Sequence, residues 1–578
     1  MFEERLKDEI LEVTSEIGLE VSEELINFEH PAEPIFGDYS TNIALLSSKL
    51  QTLNSKFKNP RELAEVIVKK WRELGLSDFI EKIEVAGPGF INIWLNFTAF
   101  SRELERVTDE EERYGSSIRG TGKSVIIDYS APNIAKPFGI GHLRSTNIGQ
   151  ALYNLYEFIG YEVIGDNHLG DWGTQFGKLI YQIKKENADP KELSIEELEK
   201  LYVQFHEEAK DIPEMEEEAR KWFKKLEEGD SEAREIWKAV IETSLKEFNR
   251  VYELLDVNID VAYGESFYLD KMDEVLADAR EKGILKESRG ALVVELPGAE
   301  VPALLKKSDG ATTYLLRDLA TIKFREKQWQ PYLYIYEVGA DQKLYFEQVF
   351  KVADMLGFAK KESLIHIAHG LIRWPTGKFS TRRGDTIHLE KVLNEAVQRA
   401  KGLITVANAD QAVLSREKDE IAKKVGIGAI KYNDLKQNPR TDVIFDWDQM
   451  LTLSGNSGPY LQYTYARTQS ILRKAQTEYS EEGRAAEVNI KEVSEEEWVL
   501  LRSFYRFSEV IEQAAKNYSP NLLCNFLFDL AQKFNLFYEK QRVIGGENER
   551  LRIILTTAIG QILKNGLKLL GIETAERM

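Results

Sequence analysis

Cysteine is nearly absent from this chain: a single one, Cys524, occurs among 578 residues. One thiol cannot build a disulfide framework, and it cannot supply the several thiolates of a structural zinc site. The sequence therefore predicts a protein of a reducing compartment, which we expect to be the cytoplasm, with no zinc. Magnesium held by oxygen ligands stays compatible with this composition.

Long apolar runs are also missing. No stretch approaches the roughly 18–20 apolar residues that span a bilayer, so we expect no membrane partner. The first ten residues, MFEERLKDEI, carry acids where a secretory or mitochondrial leader carries bases. Hydrophobic residues make up 43% and charged residues 30%, which is typical of a globular protein, and this length favours about three or four domains.

Basic side chains are fewer than acidic ones. The chain has 76 basic and 96 acidic side chains, so its formal net charge is −20. Such a chain lacks the overall basic character that favours binding to phosphate backbones. The deficit is uneven, because residues 451–578 carry 16 basic and 16 acidic side chains and the preceding residues hold the whole excess. Local patches decide binding, so composition leaves an RNA partner open.

The order of the segments predicts a multidomain α/β protein. In residues 1–115, helical runs are followed by two strand-like segments, KIEVA and FINIWLN, which a glycine turn joins as a hairpin. From about residue 120, the apolar strand SVIIDYS, a Gly- and Pro-containing loop, a helix and the strand YEVIGDN form a βαβ unit. A βαβ unit of this kind predicts a Rossmann-like, doubly wound parallel sheet.

The predicted parts follow one another along the chain. They are an N-terminal α+β module at 1–115, a Rossmann-like domain at 116–384 with a charged helical insertion at about 183–256, a connecting helical region at 385–454, and an all-helical bundle at 455–578.

The loop after SVIIDYS combines glycines with two candidate donors, Lys136 and His142. Glycine lets a backbone approach a ligand closely, and the following helix offers free N–H groups and a positive dipole end to a phosphate. Lys136 and His142 add donors for a phosphate that gains charge during reaction. A bare Gly-x-Gly-His pattern is also typical of a tight turn.

A second candidate site is the basic segment 378–384, KFSTRRG. Three cations beside a glycine favour a loop that covers a pyrophosphate. A solvated surface loop is the alternative interpretation of this segment alone.

Taken in order, several segments resemble the class I aminoacyl-tRNA synthetases, and among them the arginyl-tRNA synthetases. These segments are YSAPNIAKPFGIGHLRSTNIG, NHLGDWGTQFG, YGESF, TTYLLRDLA, TGKFSTRRGDT, SGNSGPYLQYTYAR and LGIETAERM. Two departures stand out: Gly139 replaces the first histidine of the family's His-x-Gly-His element, and Thr381 replaces the second lysine of its basic loop. Lys136 is then the candidate substitute charge.

The resemblance implies ATP-dependent activation of L-arginine and transfer to the terminal ribose of arginine tRNA. It implies ATP with Mg²⁺ as the substrate complex and no organic cofactor. The implied catalytic residues are Lys136, His142, Lys378 and Arg382. The implied ATP-binding residues are Pro132, Gly139, Gly141, His142, Lys378 and Ser380.

The resemblance also implies an arginine pocket. Its residues are Asp128, Ser130, Asn133, Tyr314, Asp318 and Gln342. A carboxylate at Asp318 can accept two parallel bonds from a guanidinium, and Tyr314 lies one helical turn before it. Glu265 in YGESF is a further acidic candidate. His168 is open between a structural and a ligand-binding role, whereas we expect His366 and His369 to be packing residues.

For tRNA, the resemblance assigns residues 1–115 to the elbow and the C-terminal bundle to the anticodon. The implied contacts are Phe90, Asn92, Tyr463, Tyr538 and Met578. We expect Phe90 and Asn92 to be exposed, so that Phe90 stacks on a splayed base and Asn92 hydrogen-bonds it, although Phe90 also fits a hydrophobic core. We expect a monomer. The rival hypotheses are a class I synthetase for another amino acid and a synthetase-like tRNA-binding protein that is catalytically impaired.

Overall fold

The computed structural model describes residues 2–47, 57, 59–374, 387–407, 415–478, 493–546 and 548–578. The chain divides into two compact units. The first unit contains Met1–Ser116, Thr464–Gln513 and Phe526–Asn565; the second contains Ser117–Tyr463, Ala514–Asn525 and Gly566–Met578. None of the helices in the described ranges has the length and apolar character needed to cross a membrane.

The N-terminal part of the first unit is the α+β module that the sequence predicts. Its elements are α1 Phe2–Glu16, β1 Phe28–Glu29, β2 Tyr39–Thr41, α2 Ile43–Ser47, α3 Pro60–Leu74, β3 Ile80–Ala86, β4 Phe90–Leu95 and α4 Phe97–Glu110. The strands form an antiparallel sheet in the order β1-β2-β4-β3. The predicted hairpin is confirmed, because β3 pairs with β4 and Gly87 between them has a φ of 51°.

The second unit begins with the predicted βαβ pattern and the helical insertion. Its first elements are β5 Ser124–Asp128, α5 Leu143–Phe158, β6 Glu162–Asp166, α6 Thr174–Lys185, α7 Ile195–Glu208, α8 Glu214–Glu228 and α9 Ser231–Leu255. The helices of the insertion carry strong start signals: Ser194 and Glu197 form a capping box at α7, and the Asp230 side chain caps α9.

A small antiparallel sheet and the rest of the parallel sheet follow. The elements are α10 Met272–Glu281, β7 Leu285–Ser288, β8 Ala291–Val294, β9 Ala303–Lys306, α11 Tyr314–Trp329, β10 Leu333–Gly339, α12 Lys343–Leu356, β11 Leu364–His369, β12 Ile372–Arg373, α13 Leu389–Ala407, α14 Ser415–Leu435, β13 Val443–Ile444 and α15 Trp447–Met450. The β7–β8–β9 sheet is absent from the sequence-based prediction.

The parallel sheet has the order β11-β10-β5-β6, and each neighbouring pair is parallel. β5 is buried nearly throughout, which explains its continuous apolar sequence. Buried Leu316 and Val349 pack α11 and α12 into one apolar cluster with Tyr334 of β10. The Rossmann-like prediction is confirmed.

Helices dominate the C-terminal part, as the sequence predicts. They are α16 Gly458–Glu478, α17 Glu495–Phe504, α18 Arg506–Lys516, α19 Asn521–Lys540 and α20 Glu549–Leu569. The predicted multidomain architecture, with a parallel-sheet core, an N-terminal α+β module and C-terminal helices, is confirmed.

Candidate active site

The carboxyl edge of the parallel sheet gathers most of the candidate residues. β5 ends at Asp128, which pairs in register with Tyr336 of β10 and with Asp166, the last residue of β6. Because carboxyl ends of parallel strands share one edge, loops from distant parts of the sequence converge here. The site therefore lies where ligands bind in open α/β sheets.

The loop after β5 has a strained backbone that the surrounding structure holds in place. Ser130, Ala131 and Ala135 have φ angles of 73°, 41° and 63°, a region that costs residues other than glycine roughly 1–3 kcal/mol each. The Ser130 N–H donates to Oγ of Ser145 at 2.9 Å, and the Ala131 N–H donates to Oδ1 of Asn167 at 3.0 Å. Such a fixed geometry is the preorganisation that a ligand-binding loop needs.

His142 lies at the N-terminus of α5, where its carbonyl accepts a 2.7 Å hydrogen bond from Thr146 Oγ1. Its Nε2 is 3.5 Å from Nδ2 of Asn133, so one predicted ATP-binding residue and one predicted arginine-binding residue lie together. Burial lowers the pKa of His142. The imidazole is therefore neutral at neutral pH and retains one N–H donor.

The two signature glycines differ in their surroundings. Gly139 forms an antiparallel bridge with His388. A Cβ built on Gly141 would meet no atom within 4 Å, so open space lies beside this backbone. Pro132, which belongs to the same loop, is buried. The open space at Gly141 is compatible with a ligand that approaches the start of α5.

Lys136 extends toward the helical insertion. Its ammonium lies 5.0 Å from the centre of the Tyr202 ring on α7, a distance at which a cation is attracted to the ring face. Both residues line a cavity of about 260 Å³ together with Asn133 and Gln175. The predicted residues of the basic loop, Lys378, Ser380, Thr381 and Arg382, lie outside the described residues.

Two of the residues predicted to bind the substrate arginine, Asp128 and Ser130, already form hydrogen bonds with other residues of the chain. Arg325, which is fully buried, places Nη2 at 2.6 Å from Oδ2 of Asp128 and at 2.7 Å from Oδ2 of Asp166. The hydroxyl of Ser130 is buried and lies 2.9 Å from both the Thr146 and the Tyr252 hydroxyls. Both side chains thus already have partners beneath the site.

Tyr314 and Asp318 lie one turn apart on α11, as their spacing predicts. Tyr314 is 62% exposed, and the guanidinium of Arg317 lies 4.7 Å from the centre of its ring. The Asp318 carboxylate accepts a hydrogen bond from the Tyr345 hydroxyl, and its Oδ1 is 3.7 Å from Nε2 of His168. Burial raises the pKa of Asp318, and His168 and Tyr345 oppose the rise.

Glu265 forms an ion pair with Arg317 at the same edge of the sheet. Burial raises the pKa of Glu265, while Arg317 opposes the rise. The neighbouring Ser266 is fixed by Asp171, whose Oδ1 accepts from the Ser266 N–H at 2.8 Å. Gln342 is exposed at the end of a 3-10 turn that connects β10 to α12. The structure thus brings Glu265 and Asp318 to one region.

The remaining histidines differ in their environment. Nε2 of His366 is 3.0 Å from the Val338 carbonyl, and Nδ1 of His369 is 2.9 Å from the Gly370 carbonyl, which agrees with packing roles. Nδ1 of His168 is buried with no hydrogen-bond partner among the described residues. No group of three or more acidic, histidine or cysteine residues in the described ranges is arranged to hold a metal ion.

The predicted RNA contacts are distributed over both units. Phe90 is half-buried on β4, but Asn92 is only 5% exposed and its Oδ1 accepts a 2.8 Å hydrogen bond from Ser40. The expectation that Asn92 is exposed is therefore wrong, because the neighbouring strand satisfies its amide. Tyr538 is 42% exposed, with the Arg467 guanidinium 5.2 Å from its ring centre.

The other two predicted RNA contacts belong to the second unit. Tyr463 is half-buried on α16. Met578 packs against the apolar cluster that contains Ile404 and Val425. Part of the Met578 side chain is therefore already covered by its own chain.

Sequence reasoning missed Arg325 and Tyr345. Arg325 follows Tyr314 by eleven positions on α11, which is close to three helical turns, so its spacing could have placed it on the same face. Tyr345 carries no comparable signal, because only the fold brings α12 beside α11.

Comparison with known proteins agrees with this fold and site. The family model described as "tRNA synthetases class I (R), catalytic domain" matches residues 104–447. Models described as "Arginyl tRNA synthetase N terminal domain" and "DALR anticodon binding domain" match residues 4–95 and 461–578. The fold and the matched catalytic-domain model are those of a class I aminoacyl-tRNA synthetase.

Comparison with individual relatives identifies the family within this class. The chain is 39% identical to an arginine–tRNA ligase of Halothermothrix orenii, with 100% of both chains covered, and 41% identical to one of Clostridium kluyveri, with 98% of both covered. The arginyl-tRNA synthetase of Plasmodium falciparum superimposes with a TM-score of 0.84 at 26% identity, covering 100% of this chain and 99% of the other. This chain belongs to the arginine–tRNA ligase family. These comparisons do not support the two rival hypotheses, which are a class I synthetase for another amino acid and a catalytically impaired synthetase-like protein.

Proposed function

We propose that this chain activates L-arginine with ATP to form arginyl-adenylate and transfers the arginine to the 3′-terminal ribose of arginine tRNA, releasing AMP and pyrophosphate. The observation that carries the proposal is the partly buried carboxylate of Asp318, whose side chain is 22% exposed. Within the described part of the chain, no lysine or arginine nitrogen lies within 4.0 Å of it; its ion-pair contact is His168.

The charges at this edge of the sheet fit a guanidinium. Glu265 is balanced by Arg317, and Asp128 and Asp166 share Arg325, which leaves Asp318 short of a cation. A partly buried carboxylate that no lysine or arginine balances is costly, so a substrate cation that supplies the missing charge is bound strongly. Arginine also presents a planar fork of donors that matches a carboxylate.

In the first step, the arginine carboxylate attacks the α-phosphorus of ATP in line and expels magnesium pyrophosphate. Positioning and charge stabilisation carry such a transfer without a side-chain nucleophile. His142, whose neutral imidazole retains a donor, and Lys136 stabilise the reacting phosphate at the positive dipole end of α5. Lys378, Ser380 and Arg382 cover the pyrophosphate, and Pro132, Gly139 and Gly141 border the adenosine.

Arginine is held by residues from several elements. Asp318, with Tyr314 beside it, binds the guanidinium, while Asn133 and Gln342 bind the α-amino and α-carboxylate groups. Asp128 and Ser130 help to position the other arginine-binding residues. Their buried hydrogen bonds to other residues of the chain support this role. The distance of 3.5 Å between Asn133 and His142 supports this arrangement, because it brings the amino acid site next to the phosphate site.

In the second step, the terminal ribose hydroxyl of the tRNA attacks the adenylate carbonyl. We assign residues 1–115 to the tRNA elbow, 116–384 to catalysis, 385–454 to a connection and 455–578 to the anticodon. Phe90, Tyr463, Tyr538 and Met578 contact bases, and Asn92 acts by shaping the sheet around Phe90. The exposed Tyr538 ring, with Arg467 beside it, supports this assignment, since unstacked bases bind to aromatic and guanidinium planes.

The protein acts as a cytoplasmic monomer that uses ATP with Mg²⁺ and holds no zinc. The support for the compartment is the single cysteine, Cys524, which is buried. Light scattering of the purified protein at micromolar concentration tests the monomer.

The test of the proposed function is the variant Asp318→Asn, measured by arginine-dependent ATP–pyrophosphate exchange in the presence of arginine tRNA. The amide keeps the shape but loses the charge, so the KM for arginine rises by roughly 100-fold while the KM for ATP stays within about twofold. Glu326→Gln removes a carboxylate from the far end of the same helix and is the control. Arginine kinetics of Asp318→Asn equal to those of the wild type would make the pocket assignment wrong.

A further inference from the structure

We propose that Tyr345 is a positioning residue for Asp318, and that its hydroxyl fixes the carboxylate which binds the arginine guanidinium. The inference rests on the proposed function, and it adds a residue that touches neither arginine nor ATP. Tyr345 is the third residue of α12, whereas Asp318 is the fifth residue of α11.

The hydroxyl of Tyr345 makes the one hydrogen bond that the Asp318 carboxylate accepts among the described residues. It donates to Oδ2. The other oxygen, Oδ1, is 3.7 Å from Nε2 of His168, which is beyond hydrogen-bond length. A carboxylate oxygen has two lone pairs, so Oδ2 can accept from Tyr345 and still share in a bidentate contact with a guanidinium. Without the hydroxyl, rotation of the carboxylate has no such restraint.

Tyr345 lies in a segment that packs against the parallel sheet, and its ring centre is 5.5 Å from that of Phe346. The next residue, Phe346, is buried and packs on Tyr336 of β10 with ring centres 5.2 Å apart, and on His366 of β11 at 4.6 Å. These contacts anchor the start of α12 to the parallel sheet. Burial raises the pKa of Tyr345, so its hydroxyl stays protonated and able to donate throughout the neutral range.

Tyr345 also connects two parts of the proposed arginine site. Gln342, proposed for the polar end of the substrate, precedes Tyr345 by three positions, a spacing that places both on one side of a helical turn. One short segment thus carries a side chain for the α-group and a side chain that orients the acceptor of the guanidinium. A change at Tyr345 is therefore expected to affect arginine and to leave ATP binding unchanged.

The experiment compares Tyr345→Phe with Tyr334→Phe in arginine-dependent ATP–pyrophosphate exchange with tRNA present. Tyr334 is a matched control, since its hydroxyl also donates to a carboxylate of α11, that of Glu326 near the other end of the helix. We expect Tyr345→Phe to raise the KM for arginine by roughly tenfold or more, with kcat and the KM for ATP within about twofold. Tyr334→Phe keeps the arginine kinetics of the wild type.

A pH profile separates positioning from a general structural effect. Tyr345 lowers the pKa of Asp318, so its loss raises that pKa and moves the acidic limb of kcat/KM for arginine to higher pH. Asp318 also faces His168, and Asp128 and Arg325 act on it from β5 and α11. These groups are unchanged in the variant, so the shift between the two profiles reports the lost hydroxyl.

The possible results separate this inference from the proposed function. An arginine KM within twofold of wild type with an unmoved acidic limb overturns the role of Tyr345. Equal effects on ATP, or the same loss in Tyr334→Phe, also overturn it, because they indicate a structural effect. If the wild type catalyses no arginine-dependent exchange, the proposed function itself fails.

Discussion

At the scale of single residues, we expect selectivity for arginine over lysine to follow from the proposed role of the partly buried Asp318 carboxylate. Lysine is a compact point charge and arginine a flat fork of donors, so lysine at Asp318 would leave an acceptor unpaired in a desolvated place. Sites that match polar groups in this way reject the wrong substrate by roughly 10⁴–10⁵. Accurate charging is therefore expected without a second hydrolytic domain, and residues 174–255 form helices α6 to α9.

A first residue-scale prediction concerns Lys136. If its ammonium stabilises the reacting phosphate, Lys136→Ala lowers kcat by roughly 10²–10³-fold and changes the KM for ATP much less. Steady-state exchange at varied ATP measures both constants. Lys178→Ala is the control: its ammonium also lies near an aromatic ring of α7, 5.5 Å from Phe205, but outside the phosphate loop. An effect confined to the KM for ATP would reduce Lys136 to a positioning residue.

Two residues show which features of the site could not be predicted from the sequence. The sequence placed Asp128 in the strand SVIIDYS and in the implied arginine pocket, but its partner Arg325 lies 197 positions away and is brought to it only by the fold. Asn92 was expected to be exposed on its strand, yet Ser40 of the adjacent strand satisfies its side chain. The identity of a residue indicates which groups its side chain can bind. Tertiary packing decides whether another residue of the same chain already occupies that side chain.

At the scale of elements, periodicity predicted the segments with long, regular patterns. The apolar run of β5 and the helical spacing of α5 were sufficient for the βαβ unit. The β7–β8 hairpin was missed for a physical reason: its two-residue turn, Arg289-Gly290, has positive φ at both positions, and Arg-Gly is not the Asn-Gly or Asp-Gly signal of such turns. Each of these strands is also only four residues long.

Helix α14 contains a buried lysine that joins three segments of the second unit. The Lys431 ammonium donates to the carbonyl of Leu255, the last residue of α9, and to that of Gly571 at 2.6 Å. Three positions later on α14, Asp434 accepts a 2.8 Å bond from Nε of Arg144 on α5. Helix α14 thus connects the insertion and the C-terminal tail to α5, the helix that follows His142.

The element-scale prediction is a pH dependence of stability. Burial lowers the pKa of Lys431 to about 8, whereas an unfolded lysine titrates near 10.4. Between these values the unfolded chain binds more protons, so the free energy of unfolding rises with pH, by roughly 3 kcal/mol in total for this group. Urea unfolding at pH 8 and 10.5 should show wild type gaining this amount relative to Lys431→Met.

The control for Lys431 is Lys423→Met, which removes an exposed lysine from the same helix. It corrects for the loss of one titrating group, so the difference between the two variants isolates the buried site. If the two variants have the same pH dependence, the pKa of Lys431 is the same in the folded and unfolded chain, which would contradict this prediction.

At the scale of the whole molecule, the distribution of charge and the matched domain models both indicate that different parts of the chain have different functions. Residues 451–578 are neutral while the preceding residues carry the net charge of −20, and the matched anticodon-binding model covers 461–578. The neutral part is thus the one best suited by charge to approach RNA. We expect the signature departures, Gly139 and Thr381, to weaken the amino acid and ATP site when it is alone. We therefore expect arginine tRNA to be required for activation.

The most direct test of the central claim is ATP–pyrophosphate exchange by the wild-type protein with each of the twenty amino acids, with and without arginine tRNA. We predict exchange with arginine alone among the twenty, and only when arginine tRNA is present, because the carboxylate of Asp318 matches a guanidinium and the site is completed by RNA. Exchange with a different amino acid, or no exchange with arginine in the presence of its tRNA, would contradict the account.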